Sequence, residues 1–320
     1  MNQQPECQRL RGIGAPIAAL VAAWLGLSGA GRPSAAPLKA SSLGLQNNPR
    51  AVGGDSLATI VEKKPDQLMR TLPELAGLDA AASHPPLPEI LNKAGQSVGA
   101  YFRNFVSTSA LEETVQQRLK LNGKVDETYK QKYRYLVISH SGRSPTDLEE
   151  YRTDKKGRPA GNTVLRGAVL TLRFSYIPIY LHPDFQSDSN FSYVGQQTME
   201  GHRCYVVGFA QRPDTARLWV KLTEESFSYK VLLEGLAWID ASSYQIIRMY
   251  TELLPDASVR DIKEQTTEVT FGEVHFKGID VVFWLPHDVV VYSDWSGRKF
   301  RNYHRYSDYQ LYASQTKLIY

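Results

Sequence analysis

Apolar residues follow a helical period in one long segment of this chain and a period of two in many short ones. Between residues 87 and 105, Leu87, Ile90, Leu91, Ala94, Val98, Tyr101, Phe102 and Phe105 fall on one stripe. That spacing predicts an amphipathic helix, which must bury its stripe against another element. From residue 111 onward the pattern changes to short runs of β-branched and aromatic residues. Runs 111–121 and 129–139 flank Asn122-Gly123, a dipeptide suited to tight turns that need positive φ. Further runs at 204–210, 216–222, 232–240, 245–254, 268–276, 281–284, 289–294 and 309–320 are separated by turn signals such as Glu200-Gly201, Lys277-Gly278 and Ser296-Gly297. About ten strands after one helix, with no helices alternating between them, predict an α+β domain built on an antiparallel sheet. A flat sheet of that width is unusual, so the sheet is expected to be strongly curled or nearly closed. Residues 166–181 read ambiguously: Val169, Leu172 and Phe174 suit a strand, and Pro178 forbids a long helix.

The first 84 residues look different. Arg9 and Arg11 precede an apolar stretch at 15–27 that is too short for a stop-transfer helix, and Ser28-Gly29-Ala30 follow it. This is the pattern of a cleavable signal peptide over residues 1–30, and it implies export to the periplasm. Residues 31–84 are rich in Ala, Pro, Gly, Leu and Ser with little periodicity, apart from a weak helical pattern at 66–78 interrupted by Pro73. They read as a flexible spacer. The β domain is expected at 85–320, and no internal repeat is visible.

Composition narrows the function classes. Tyrosine, at 18 residues against 11 Phe and 5 Trp, favours pleated, half-buried surfaces. The formal charge of +4 is small, and basic residues do not cluster beyond Lys155-Lys156 and Arg298-Lys299, which argues against nucleic acid as a partner. Cleavage of the signal would remove Cys7 and leave Cys204 alone, so neither an intramolecular disulfide nor a multi-cysteine metal site is expected.

Candidate chemistry is sparse. Gly95-Gln96-Ser97-Val98-Gly99 fits the serine-hydrolase pattern G-x-S-x-G, but that motif works on a strand-to-helix elbow and here it falls within the predicted helix. The seven histidines show neither H-x-x-x-H nor H-E-x-x-H spacing. His182-Pro183-Asp184 suits a turn capped by the Asp after Pro better than a ligand fragment. Glu149-Glu150 and Glu224-Glu225 are adjacent, so on strands each pair splits between two faces. No phosphate-cradling glycine pattern occurs, and no cofactor or metal is expected. The run Phe300 to Tyr309 interleaves Arg and Tyr; Arg301, Tyr303, Arg305 and Tyr306 are its candidates for contact with a protein partner. The alternative is a twisted strand with side chains lying along a rim. The chain ends in Leu318-Ile319-Tyr320, yet the strands lack the continuous apolar band of a membrane barrel.

Several local strings carry a family resemblance. Gly235-Leu-Ala-Trp-Ile-Asp240, a turn, then Gln245-Ile-Ile-Arg-Met249 resembles a hairpin of the lipoprotein-carrier superfamily of bacterial envelopes. That superfamily includes LolA/LolB-like carriers and RseB-type sensor domains. Gly201 to Val207, Phe283 to Pro286 and Arg301 to Tyr306 resemble strings of envelope proteins with the same architecture, and the likeness spans 85–320. It implies a strongly curled, half-open antiparallel β-barrel with the amphipathic helix packed on its concave side, an incompletely closed barrel that holds acyl chains on that face beneath helices. Leu119, Val206, Leu236, Trp238 and Ile246 would then line the cavity, Val98 and Phe102 would belong to its lid, and Arg248 would be an inward or rim charge. The first functional expectation is a non-catalytic periplasmic protein, peripheral to the membrane at most, that binds a lipid or lipoprotein acyl chain. The second is a sensor or interaction module for another envelope protein, and the third a hydrolase with carboxylates from separate strands.

Overall fold

The computed structural model describes residues 58–139, 148–160, 163–165, 168–169, 174–224, 227–255 and 262–312. The expected signal peptide, the first part of the expected spacer, Glu225 and the terminal Leu318-Ile319-Tyr320 lie outside the described residues. The chain enters through helix α1 (Pro65–Thr71), a 3-10 turn (Pro73–Leu75) and helix α2 (Leu87–Asn104). Strands β1 (Thr108–Leu119), β2 (Val125–Ser139), β3 (Leu148–Thr153), β4 (Thr163–Leu165) and β5 (Ala168–Val169) come next. A 3-10 segment (Phe174–Leu181) and helix α3 (Pro183–Gln186) lead into β6 (Ser189–Met199), β7 (His202–Gln211), β8 (Val220–Glu224), β9 (Phe227–Val231) and β10 (Leu233–Asp240). The remaining strands are β11 (Ile246–Leu253), β12 (Ile262–Val274), β13 (Phe283–Trp295) and β14 (Arg298–Leu311).

Ten strands form one open antiparallel sheet in the order β3-β2-β1-β14-β13-β12-β11-β10-β7-β6, with β4-β5 and β8-β9 as separate small hairpins. The expected α+β class and antiparallel sheet are therefore what forms. Within the ambiguous stretch 166–181, Ala168–Val169 is the short strand β5 and Phe174–Leu181 is the 3-10 segment, in keeping with Pro178, which a longer α-helix would not tolerate; Leu172 lies outside the described residues.

The predicted helix is α2, and its burial follows the predicted stripe: Ile90, Ala94, Val98 and Phe102 are buried, one turn apart. Glu89 in the first turn and Arg103 in the last suit the helix dipole. These four residues share one hydrophobic cluster with Ala110 of β1, Tyr135 and Val137 of β2, Val207 and Phe209 of β7, Ala237 of β10, Met249 of β11, Val269 of β12 and Val291 of β13. The cluster thus takes residues from both ends of the strand order.

Alternation along each strand sends the neighbouring residues to the opposite face. There Cys204, Val206, Leu236, Trp238, Ile247 and Tyr250 form a second cluster, closed by Ile60, Leu68, Leu72 and Leu75. This corrects the expectation of a flexible spacer up to residue 84. Residues 58–84 are an ordered strap, because their scattered leucines meet an apolar sheet face that local periodicity does not reveal. Polar contacts fix the strap along the edge strand β6. The backbones of Asp79 and Gln196 exchange hydrogen bonds of 2.8 and 2.9 Å. Gln197 Nε2 donates to the Ala76 carbonyl at 2.8 Å, and Gln196 Nε2 to the Ser83 carbonyl at 2.6 Å. Gly195 permits this approach, since a Cβ there would lie 2.7 Å from the Asp79 carbonyl oxygen. Covering an edge in this way blocks strand addition by another chain.

The start of the strap rests on a buried carboxyl group. Ile60 N–H donates to Glu234 Oε2 at 2.7 Å, and burial, with Glu252 adding, pushes the Glu234 carboxyl up to about 8. Its contribution to stability is fully present below pH 4.5, the ordinary carboxyl value, and is lost as pH rises through about 8. Thermal melts of Glu234→Gln are expected to exceed wild type at pH 8 and to match it at pH 4.5. Leu75, fully buried in the strap, gives a second check. Leu75→Ala is expected to cost about 2–5 kcal/mol in urea unfolding, where a loose spacer would show no change.

Candidate functional site

The face of the sheet that meets α2 divides into an apolar and a polar region. The apolar region is the cluster under α2 and the 3-10 segment. Gly95 and Gly99, the glycines of the G-x-S-x-G string, are buried on the side of α2 that meets residues 181–186. A Cβ on Gly95 would lie 2.5 Å from Gln186 Nε2 and 3.3 Å from the Leu181 carbonyl, so this glycine serves close packing. Gln186 Nε2 donates to the carbonyls of Leu91 at 2.9 Å and Leu181 at 2.8 Å and ties the two segments together. Ser97 lies in mid-helix and its hydroxyl reaches the Ser243 carbonyl at 3.4 Å, away from any elbow. His182 caps α3, its Nδ1 accepting the Asp184 N–H at 3.2 Å, so the capping side chain is the histidine and not the aspartate that the sequence suggested.

The sequence-predicted ligand residues do not converge. Val98, Phe102 and Ile246 share the cluster beneath α2. Val206, Leu236 and Trp238 lie on the opposite face, under the strap. Arg248 is on that face too, stacked 4.8 Å over the Trp238 ring and paired with Glu268, and Trp238 Nε1 donates to Gln197 Oε1 at 2.7 Å. Leu119, at the end of β1, belongs to neither cluster. The division follows from strand period: Leu236 and Trp238 share parity on β10, whereas Ala237 and Ile239 face α2. Val98 and Ile246, with Tyr101, Pro178, Phe271 and Trp284, line a cavity of about 20 Å³, room for roughly one water molecule.

The Arg/Tyr run is also split by alternation. Phe300, Asn302, His304 and Tyr306 are buried, while Arg301 and Tyr303 are half-buried and Arg305 is exposed. Tyr306 is therefore corrected from a partner contact to a buried residue. On the outer side, Arg301 lies 5.4 Å over the Tyr303 ring and donates to Gln117 Oε1 at 2.9 Å; Arg305 pairs with Asp288 at 2.8 Å.

The polar region went unrecognised in the sequence. On β1 the inward residues after Ala110 are Glu112, Thr114 and Gln116, all buried. Register places Tyr306, His304 and Asn302 of β14 directly opposite them. Arg152 of β3 completes the group: its Nη2 donates to Glu112 Oε1 at 2.6 Å and its Nε to Glu112 Oε2. Tyr306 O–H donates to Glu112 Oε1 at 2.9 Å, and His304 Nδ1 lies 2.8 Å from the same oxygen. A carboxylate can only accept, so Nδ1 carries the proton and Nε2 presents a lone pair. Burial alone would raise the Glu112 carboxyl, but His304 and Arg152 overrule it and hold it at about 2. Burial pushes the His304 imidazolium down, so the ring is neutral, whereas the Arg152 guanidinium is raised above its ordinary value by Glu112. The ring of Phe174 lies 5.1 Å from His304 and closes one side. Glu112, fully buried and saturated by donors from three side chains, is poorly suited to the proton transfers of a hydrolytic carboxylate pair. The one sequence signal for this region was an inward-parity row of polar residues on a strand that otherwise reads as core.

No family model matches the chain, and neither does a curated protein. Solved structures to which the chain is similar include the following three. One is a DUF1329 family protein from Desulfovibrio piger, with 12% identity over 71% of this chain and 94% of that one, at a TM-score of 0.37. Another is a domain from Vibrio parahaemolyticus named for outer membrane lipoprotein sorting, with 13% identity over 72% and 93%, at 0.40. The third is a LolA superfamily protein from Nitrosomonas europaea, with 13% identity over 71% and 94%, at 0.36. No helix among the described residues is long and apolar enough to cross a membrane.

The buried ion group makes a pH prediction. As pH falls below 6.5 the unfolded state protonates His304 first, and below 4.5 the stabilisation from ionised Glu112 is lost progressively toward pH 2. Both effects favour unfolding in acid. Arg152→Met is expected to cost about 3–5 kcal/mol at neutral pH, because it leaves a buried carboxylate uncompensated. Denaturant titrations from pH 7 to pH 3 should show a weaker loss of stability for this variant than for wild type.

Proposed function

We propose that the protein is a non-catalytic, exported binding protein that takes up an amphipathic ligand, a lipid or acylated peptide, between α2 and a curled half-open sheet. The observation that carries this reading is the single apolar cluster shared by α2, β2 and β7, strands near opposite ends of the sheet order. Ten strands at about 4.8 Å spacing would be roughly 45 Å across if flat, wider than one 18-residue helix is long, and a curled sheet would bring the two ends of that cluster toward the same helix. The cover of this face, α2 with the 3-10 segment, is seated mainly by apolar contacts, which an acyl chain can replace one for one. Each methylene removed from water is worth about 0.8 kcal/mol, an affinity that needs no reactive group.

The cavity of about 20 Å³ beneath α2 is far below the volume of an acyl chain, so uptake requires α2 to lift from the sheet. The full chain is expected to bind a fluorescent fatty acid stoichiometrically. Phe102→Glu, on the α2 side, should abolish uptake, and Trp238→Phe, on the strap side, should leave it unchanged, with circular dichroism verifying that both variants fold. Failure of the wild-type chain to take up the probe would sink the reading.

A further inference from the structure

The polar region beside the apolar cluster holds hydrogen-bonding atoms that the fold does not use. Gln116 is fully buried, yet neither its Oε1 nor its Nε2 has a hydrogen-bond partner. Gln131 Oε1 and His304 Nε2 are likewise buried and without a partner. These atoms belong to one contiguous patch. Register places Gln131 of β2, Thr114 of β1 and His304 of β14 in one row, and Tyr129, Gln116 and Asn302 in the next. Residues opposite each other have Cβ atoms about 5 Å apart, and successive rows on one face are about 7 Å apart. Tyr129, at the end of the second row, is 41% exposed, so the patch runs from the interior out to solvent.

A buried amide without partners costs about 1–3 kcal/mol, which a purely structural role gives no reason to keep. The unused atoms are three acceptors and one amide donor. Glu112 and Arg152 cancel each other's charge, so the patch offers no counter-ion to an anion. We propose that Gln116, Gln131 and His304 form a head-group subsite for an acyl ligand whose head bears several N–H or O–H donors and no negative charge. This proposal rests on the acyl-binding reading above. Ala110 and Tyr306 connect the two regions, since both belong to the apolar cluster and Tyr306 also donates to Glu112. The head would rest among the glutamines and the chain would run from there beneath α2. Glycerol hydroxyls and an acyl amide share this donor chemistry.

The test is competition of 1-monooleoylglycerol, oleamide and oleate against the fluorescent fatty acid on the full chain at pH 8. The first two differ from oleate only in the head, and whichever binds tighter distinguishes hydroxyl from amide. At least one is expected to bind about ten-fold tighter than oleate. Gln116→Leu should remove that preference, bringing the tighter ligand down to the affinity of oleate, and it should melt no lower than wild type without ligand, because it replaces an unpaired amide by an apolar side chain. Gln131→Met, nearer the rim, should reduce the preference in the same direction. Equal affinities in the wild-type chain, or a preference that survives both substitutions, would overturn the subsite and leave acyl binding standing. A fall in the ligand-free melting temperature of Gln116→Leu would also overturn it, by making the amide structural. Binding of none of the amphiphiles removes both readings together.

Discussion

A wide open sheet has two faces and two edges to cover, and the rest of this structure answers that constraint. On β10, Leu236 and Trp238 point one way and Ala237 and Ile239 the other, and every one of them is buried. Such a strand cannot rest one face on water, so it needs two covers. The strap with α1 supplies one and α2 with the 3-10 segment the other. The strap also hydrogen-bonds along β6, so the same stretch that buries the outer face closes an edge.

The two covers differ in how they are held. The strap is fixed by backbone exchange with Gln196, by the side chains of Gln196 and Gln197, and by the Ile60 bond to Glu234. On the other face, α2 is joined to α3 by Gln186 and to the 3-10 segment by Tyr101, while its contacts to the strands are mainly apolar. Directional bonds give a cover one position; apolar contacts let it slide or lift at lower cost. In the proposed reading this asymmetry puts the ligand beneath α2 and makes the strap the fixed wall.

The Glu112–Arg152–His304–Tyr306 group adds a polar anchor inside the same face. Burying two charges is tolerated here because each oxygen of Glu112 receives a directed donor, and the guanidinium meets the carboxylate in a fork. The group draws β3, β1 and β14 together, and Phe174 packs over it from the 3-10 segment. In the proposed reading, an apolar cluster flanked by a neutral, acceptor-rich patch selects an amphipathic molecule over a plain hydrocarbon.

Much of this was legible in the sequence because it depends on neighbours in the chain. The stripe from Leu87 to Phe105 specified a helix and its buried side, since residues four apart meet within one helix. The turn at Asn122-Gly123 and the run from Gln245 to Leu254 likewise marked strands by local period and turn chemistry. What tertiary structure decided was which strand face meets which cover. Alternation shows that Trp238 and Ala237 point apart, but nothing local says that a leucine-bearing strap from residues 58–84 lies over Trp238 and that α2 lies over Ala237. The polar group depended still more on pairing, because Glu112 and His304 are 192 positions apart and meet only through the register of β1 with β14. Local spacing carries periodicity; contact across the sheet is set by strand order and register, which a single sequence does not encode in any neighbouring pair.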